Sequence, residues 1–139
     1  MILMGVVFLS SCEEEEPDDA TDSIKGGTWE LFGELMPGQD IEDLRITFDS
    51  NLTATDVSFS LDGNNESFSG GDVSGTATVN GLEVEFEVEF GPNSAGFDGI
   101  MDDDLNSGTG LVSHRIKQDL GATFTFLIGA DPDGTITKK

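Results

Sequence analysis

The sequence predicts a single all-β domain whose short antiparallel strands form an up-and-down barrel of about eight or nine strands. Apolar and polar residues alternate along most of the chain, and no long stretch shows helical periodicity. Glycine, asparagine and aspartate interrupt the alternation about every ten residues, as turns between short strands do. A β-sandwich of the same strands is the alternative, because it also buries one face of each strand.

The first three predicted strands each place their apolar side chains on one face. These inward residues are Trp29, Leu31 and Leu35; then Leu44, Ile46 and Phe48; then Val57, Phe59 and Leu61. Successive side chains of a strand point to opposite faces, so each segment has one face for the core and one for water. The short connections favour pairing between neighbours, as in an up-and-down barrel, over the long crossings of a Greek key.

The strongest local signal is Asn80-Gly81, which lies between predicted strands at residues 74–79 and 82–90. Asn-Gly supplies the two positive φ angles that a type I′ hairpin requires. In the second strand, apolar residues that include Phe86 alternate with glutamates. Aligned glutamates repel one another, so this face of the strand must lie in water.

The remaining apolar residues continue the inward set towards the C-terminus. They are Phe97, Met101, Val112, Ile116, Ala122, Phe124, Phe126 and Ile128. His114, the only histidine, shares the face of Val112 and Ile116 and is predicted to point inward. Asp131-Pro132-Asp133-Gly134 is interpreted as a turn before the C-terminus.

The N-terminal residues Leu9-Ser10-Ser11-Cys12 resemble the lipobox of bacterial lipoproteins. The resemblance implies that residues 1–11 are a signal peptide and that Cys12 carries the lipid. Cys12 is the only cysteine, so it has no partner for an internal disulfide. No Lys or Arg precedes Lys25, and the apolar stretch is short, so we expect the translation start to lie upstream.

The acidic run at residues 13–16 resembles the surface-export signal of lipoproteins from the Bacteroidota. It implies attachment to the outer membrane or display at the cell surface; a plain solvated spacer is the alternative. Like charges next to Pro17 resist burial, so residues 12–25 are predicted to be the lipidated cysteine and a disordered tether. Residues 26–139 then form the barrel domain.

Composition and motifs exclude several functions. The chain has 28 acidic against 6 basic residues and a formal net charge of -22. This balance argues against nucleic acid as a partner and against electrostatic adhesion to anionic lipid. The sequence has no nucleophile elbow, second histidine or further cysteine to accompany His114, so the protein is predicted not to be an enzyme.

Gly27-Thr28-Trp29-Glu30-Leu31 resembles the opening Gly-x-Trp strand of the lipocalin-like domains found in bacterial lipoproteins. The resemblance implies that Trp29 plugs one end of the barrel and that the interior holds a small apolar ligand. The candidate ligand-binding residues are His114, Trp29, Phe86, Phe124 and Phe126. The alternative is a structural or protein-interaction lipoprotein, with an unidentified protein partner, whose core is filled by its own side chains.

Asp102, Asp104 and Asn106 form the best metal candidate, because oxygen ligands at alternate positions of a curled loop suit calcium. The EF-hand pattern is not met, since Ser107 stands where that loop needs glycine and Ser113 where it needs glutamate. The alternative is a turn whose Asp and Asn side chains cap their own backbone. No cofactor is predicted other than a calcium ion at this loop.

Overall fold

The computed structural model describes residues 19–33 and 41–139, and within them the chain forms one antiparallel sheet of 10 strands. The strands are β1 Thr28–Phe32, β2 Ile41–Phe48, β3 Ala54–Leu61, β4 Asn64–Ser69, β5 Val73–Ser74, β6 Thr78–Asn80, β7 Glu83–Phe90, β8 Asn93–Met101, β9 Ser107–Asp119 and β10 Phe124–Lys138. A short helix, α1, spans Thr21–Ile24, and a 3-10 turn spans Gly70–Asp72. The predicted all-β antiparallel fold is confirmed, and Leu35 and Cys12 lie outside the described residues.

The sheet winds almost into a closed barrel with up-and-down topology. Its strand order is β4-β3-β2-β1-β10-β9-β8-β7-β5, and β6 also pairs with β7. The last strand lies beside the first, with Ile136 opposite Leu31. The seam is the gap between the two end strands of the sheet, β4 and β5. One end of it is closed by flanking segments, because the Ala77 amide, between β5 and β6, donates to the Leu52 carbonyl, before β3, at 2.8 Å.

The two ends of the barrel are built differently. At the entry end, where the chain enters the domain, the Ala20 amide donates to the Gly81 carbonyl and the Ser23 hydroxyl donates to the Leu105 carbonyl. The opposite end, the mouth, is formed by the β3–β4 turn, the β7–β8 turn and the end of β9 at Asp119. The short helix α1 and the open end of the seam therefore lie at opposite ends of the barrel.

The ordered domain begins earlier than predicted. Ala20 and Ile24 are both 0% exposed and join the hydrophobic core, although residues 12–25 were expected to form a disordered tether. Their spacing of one helical turn places both side chains on the face of α1 that meets the entry end. The Asp19 carboxylate accepts a hydrogen bond from the Thr21 amide at 2.7 Å at the start of this turn. The described domain thus includes residues N-terminal to position 26.

The barrel interior is filled by the chain's own aromatic side chains. The Phe86 ring lies 5.0 Å from that of Phe48 and 6.0 Å from that of Phe97, measured between centroids. Trp29 and His114 are also buried, as predicted. On β7 every second residue is buried and the glutamates between them are exposed, which confirms the predicted half-buried strand.

The central hairpin is shifted by one residue from the predicted turn. Asn80 pairs with Glu83, so the two loop residues are Gly81 and Leu82. Gly81 has a φ of +65°, whereas Asn80 is not among the described residues with positive φ. The predicted strand at 74–79 is divided into β5 and β6 around Gly75, where a Cβ would lie 2.5 Å from the Glu87 carbonyl oxygen.

A β-bulge interrupts β10 where the sequence predicted a turn. Gly110 is opposite Gly134, but Val112 is opposite Asp131, so β10 contains one residue more than β9 across this interval. The Asp133 amide donates to the Asp131 carboxylate at 2.9 Å within the bulge. One extra residue inverts the alternation of a strand, so the residues on its two sides face inward with opposite parity.

The predicted inward orientation of Phe124, Phe126 and Ile128 is therefore wrong. Phe124 is 56% exposed and Ile128 is 54% exposed, while Gly129, which lies between Ile128 and the bulge, is buried. Ala122, also predicted inward, lies exposed in the turn before β10. In the part of β10 that precedes the bulge, these apolar side chains lie on the outer face of the sheet. They therefore do not contribute to the core.

Candidate functional site

A cleft of the described chain lies at the mouth, where the seam of the barrel opens. This mouth cleft lies between the β3–β4 hairpin, the β7–β8 turn and the end of β9, and its volume is about 330 Å³. That volume is near the lower end of the range for small-molecule sites, which often occupy the mouths of β-barrels. The cleft is therefore large enough for a small ligand.

The apolar wall of the mouth cleft consists of Phe59, Leu61 and Phe68. The rings of Phe59 and Phe68 are stacked with centroids 6.3 Å apart, and both pack against Phe90. Phe68 also covers Gly91, where a Cβ would lie 2.7 Å from the ring. Because the wall rests on a packed aromatic cluster, its shape is fixed before any ligand binds.

Polar residues occupy inward positions of β4 beside this wall. Asn64 is opposite Leu61 and Glu66 is opposite Phe59 in the antiparallel register. Directly opposite residues share a face of the sheet, so Asn64 and Glu66 lie on the inner face together with Phe68. The inner face of β4 therefore carries both polar and apolar side chains, whereas the buried face of β7 is entirely apolar.

Hydrogen bonds and an ion pair hold the far side of the cleft. The Gln118 amide donates to the Asp62 carboxylate at 2.8 Å, which links β9 to the β3–β4 turn. The buried Asn93 accepts a hydrogen bond from the Lys117 amide at 2.7 Å. The Lys117 ammonium lies 3.7 Å from the Asp119 carboxylate. The rim is thus polar, and these contacts link β9 to the β3–β4 turn and to β8.

The predicted ligand-binding residues do not meet at one interior site. Trp29 lies at the entry end, where a Cβ on Gly27 would be 3.0 Å from its indole nitrogen and the Lys138 ammonium lies 5.9 Å from its ring. Phe86 lies within the packed core. Neither residue lines the mouth cleft, so the prediction of one interior set formed by these residues is corrected.

His114 is buried between Val112 and Ile116 on the inner face of β9. Burial lowers the pKa of its imidazole below the ordinary value of 6.5, so the ring is neutral at neutral pH. His114 borders a shallow depression of about 560 Å³ on the outer face, beside Arg115 and Ile128. This depression opens outward and is separate from the mouth cleft.

The predicted residues Phe124 and Phe126 belong to a patch on the outer face of the β9–β10 hairpin. We call Arg115, Lys117, Phe124, Phe126 and Ile128 the outer arm patch. The Arg115 guanidinium carbon lies 3.5 Å from the centroid of the Phe126 ring, and the Lys117 ammonium lies 4.6 Å from that of Phe124. Cations over aromatic faces help to hold these rings in place.

The predicted calcium loop uses its carboxylates to form its own turn. The Ser107 hydroxyl donates to Asp102 at 2.6 Å, and the Asn106 amide donates to Asp104 at 2.9 Å. Among the described residues no group of three or more His, Cys, Asp or Glu side chains is arranged to hold a metal ion. Calcium binding by Asp102, Asp104 and Asn106 remains a prediction, as does lipid attachment to Cys12, which lies outside the described residues.

The mouth cleft was not predicted from the sequence, although one signal for it was present. Asn64 and Glu66 alternate in phase with Phe68, so a strand there must place polar and apolar side chains on the same face. The opposing wall depends on Asn93 and Gln118, which are distant from β4 in the chain. Their proximity follows from the closure of the sheet and has no local pattern.

Comparisons with known proteins do not assign the chain to a family. No family model matches it, and searches of characterised proteins and of solved structures found no match. In the part of the chain that the structure describes, no helix is long and apolar enough to cross a membrane. The barrel-shaped antiparallel fold is consistent with a binding module of the lipocalin-like type.

Proposed function

We propose that the protein is a lipid-anchored, non-catalytic binding module of the bacterial cell envelope that takes a small ligand in the mouth cleft. The observation that supports this proposal most directly is the combination of an aromatic wall with a polar rim at the open end of a filled barrel. Apolar surface gives such a site affinity, and a few placed polar groups give it orientation and selectivity.

The proposed site is the mouth because the barrel centre is occupied. Phe48, Phe86 and Phe97 pack together there, and the mouth cleft, the cleft beside Phe86 and the depression beside His114 all open to solvent. Small barrels of about eight strands are filled by their own side chains, and the ring packing shows that this barrel of 10 strands is filled as well. A ligand at the mouth displaces water and leaves this packing intact.

A titration of the full chain with 1-octanol, followed by amide chemical shifts, tests the binding site. We expect shifts clustered around Phe59, Phe68 and Lys117, because these residues line the cleft. Asn64→Phe would fill the cleft and abolish the response. Asn65→Phe is the matched control, because it adds the same ring to the opposite face of β4. Absence of shifts up to the solubility limit of octanol would reject the mouth cleft as a site for a neutral apolar ligand.

The proposed anchor is a lipid on Cys12. Its support is the Leu9-Ser10-Ser11-Cys12 sequence, in which small residues precede the cysteine. Cys12→Ala should move the protein from the membrane fraction to the soluble fraction, whereas Ser11→Ala keeps a small residue and should leave it membrane-bound. Retention of Cys12→Ala in membranes would remove the lipid-anchor proposal.

The proposed location is the outer membrane or the cell surface of a bacterium of the Bacteroidota. Its support is the acidic run at residues 13–16 directly after the cysteine. Replacing this run with alanines should preserve lipidation and lower the fraction of protein that added protease can digest on intact cells. Equal digestion of both proteins would show that the run acts only as a spacer.

A protein-interaction module is the second candidate, favoured by the filled core and by the outer arm patch. Phe124 is 56% exposed, and the outer arm patch to which it belongs contains two cations, Arg115 and Lys117. The protein as a whole is acidic. Apolar side chains flanked by cations suit an acidic protein partner. A photo-cross-linker at Phe124 should give one discrete adduct in the native envelope, and one at Glu83 on the outer face of β7 should give none. Adducts of equal yield at both positions would argue against this candidate.

A further inference from the structure

We infer that the mouth cleft selects an amphipathic organic cation, with its apolar body on Phe59 and Phe68 and its ammonium group beside Glu66 and Asp62. The inference rests on the proposed function and deepens it by naming the chemical class of the ligand. The cleft itself is defined by its aromatic wall and its volume; the charges decide which ligand enters it.

The position of Glu66 is the first support. Glu66 lies opposite Phe59 in the β3–β4 register, on the inner face of β4, one position along that face from Phe68. A carboxylate at an inward position interrupts a row that would otherwise continue the core. The same cleft therefore presents a negative charge directly beside its aromatic wall.

The charge balance of the rim is the second support. The cleft is lined by the carboxylates of Asp62, Glu66 and Asp119 and by one cation, Lys117. Lys117 pairs with Asp119 at 3.7 Å, and the hydrogen-bond donor to Asp62 is the uncharged amide of Gln118 at 2.8 Å. No ion pair found among residues 19–33 and 41–139 involves Asp62 or Glu66. Two negative charges on the rim thus remain for a ligand.

The aromatic wall supports the same ligand class. The faces of aromatic rings attract organic cations, and aliphatic groups gain free energy by leaving water at such a surface. An ammonium ion with an alkyl chain satisfies both the rings and the carboxylates. A carboxylate or phosphate ligand would gain the apolar contact but would face Glu66 and Asp62 with a charge of the same sign.

Glu66 also has a purely structural explanation. β4 ends the sheet, and an inward charge on an end strand discourages pairing with other chains. This explanation predicts no preference between ligands of different charge. Binding measurements with probes of matched chain length therefore separate it from the inferred selectivity.

The experiment titrates the full chain with octyltrimethylammonium, 1-octanol and octanoate and follows the amide shifts of the mouth. We expect the cation to bind most tightly and octanoate most weakly. Glu66→Gln should weaken binding of the cation about threefold to fivefold, the effect of losing one partly exposed charge, and leave octanol unchanged. Glu83→Gln is the matched control, because it removes the same charge from the outer face of β7.

The outcomes distinguish the inference from the proposed function. Equal affinity for the cation and octanol, or an equal loss in Glu66→Gln and Glu83→Gln, would overturn the cation selectivity while octanol binding upholds the cleft as a site. If none of the three probes shifts the mouth residues, both the inference and the small-ligand function fall.

Discussion

Ile24→Ala tests whether α1 belongs to the cooperative core of the barrel. The substitution removes three carbons from a side chain that is 0% exposed. At about 0.8 kcal/mol per buried methylene, the lost transfer free energy is about 2.4 kcal/mol. The cavity left behind raises the expected loss of unfolding free energy to about 3 kcal/mol, within the range of buried aliphatic-to-alanine changes.

Urea denaturation and thermal unfolding of the full chain measure this loss. A change of about 3 kcal/mol should lower the Tm by roughly 10 °C or more for a domain of this size. The control is Ile100→Ala on β8, where the side chain is 57% exposed, and its effect should stay within about 0.5 kcal/mol. If both variants lose the same small amount, α1 unfolds independently and the reasoning from its burial is refuted.

Three further predictions concern other parts of the chain. Below pH 6.5 the unfolded state binds a proton at His114, whereas burial keeps the folded imidazole neutral. The free energy of unfolding should therefore fall as the pH drops from 6.5 towards the lowered pKa of the folded state. His114→Gln should remove this pH dependence. Gly99→Ala should lower the free energy of unfolding by about 2 to 3 kcal/mol in denaturant titrations, because the new Cβ would lie 2.7 Å from the Gly110 Cα. Gly71→Ala is the control and should be nearly neutral, because a Cβ there would have nothing within 4 Å. If Asp102 and its loop bind calcium, millimolar calcium should raise the Tm of the native chain and not that of Asp102→Asn; an unchanged native Tm would dismiss the site.

The strand β7 was predictable because its pattern is local. Its apolar side chains, Val84, Phe86, Val88 and Phe90, alternate with glutamates, and only a half-buried strand satisfies both sets. The phase of the alternation was clear because one face carries charges. The same logic fixed the inward position of His114 between Val112 and Ile116.

β10 was not predictable in the same way, since its phase depends on a partner strand. Phe124 and Phe126 alternate with residues that are not charged, so either face could be the buried one. The bulge near Asp131 inverts the phase, and only the register with β9 reveals it. Similarly, α1 is too short for a helical period to be visible, and Ile24 is buried through contacts with distant parts of the chain.

The arrangement of the two ends of the barrel determines where the cleft stands relative to any N-terminal attachment. Between the entry end and the mouth runs β9, whose 13 residues span about 30 Å along the barrel axis once the usual strand tilt is allowed for. If the proposed lipid on Cys12 holds the protein at a membrane, the cleft lies at the opposite end of the barrel from the point where the chain enters the domain. A ligand then reaches the cleft from the surrounding medium, and an apolar compound dissolved in the bilayer has to leave the bilayer before this protein can capture it.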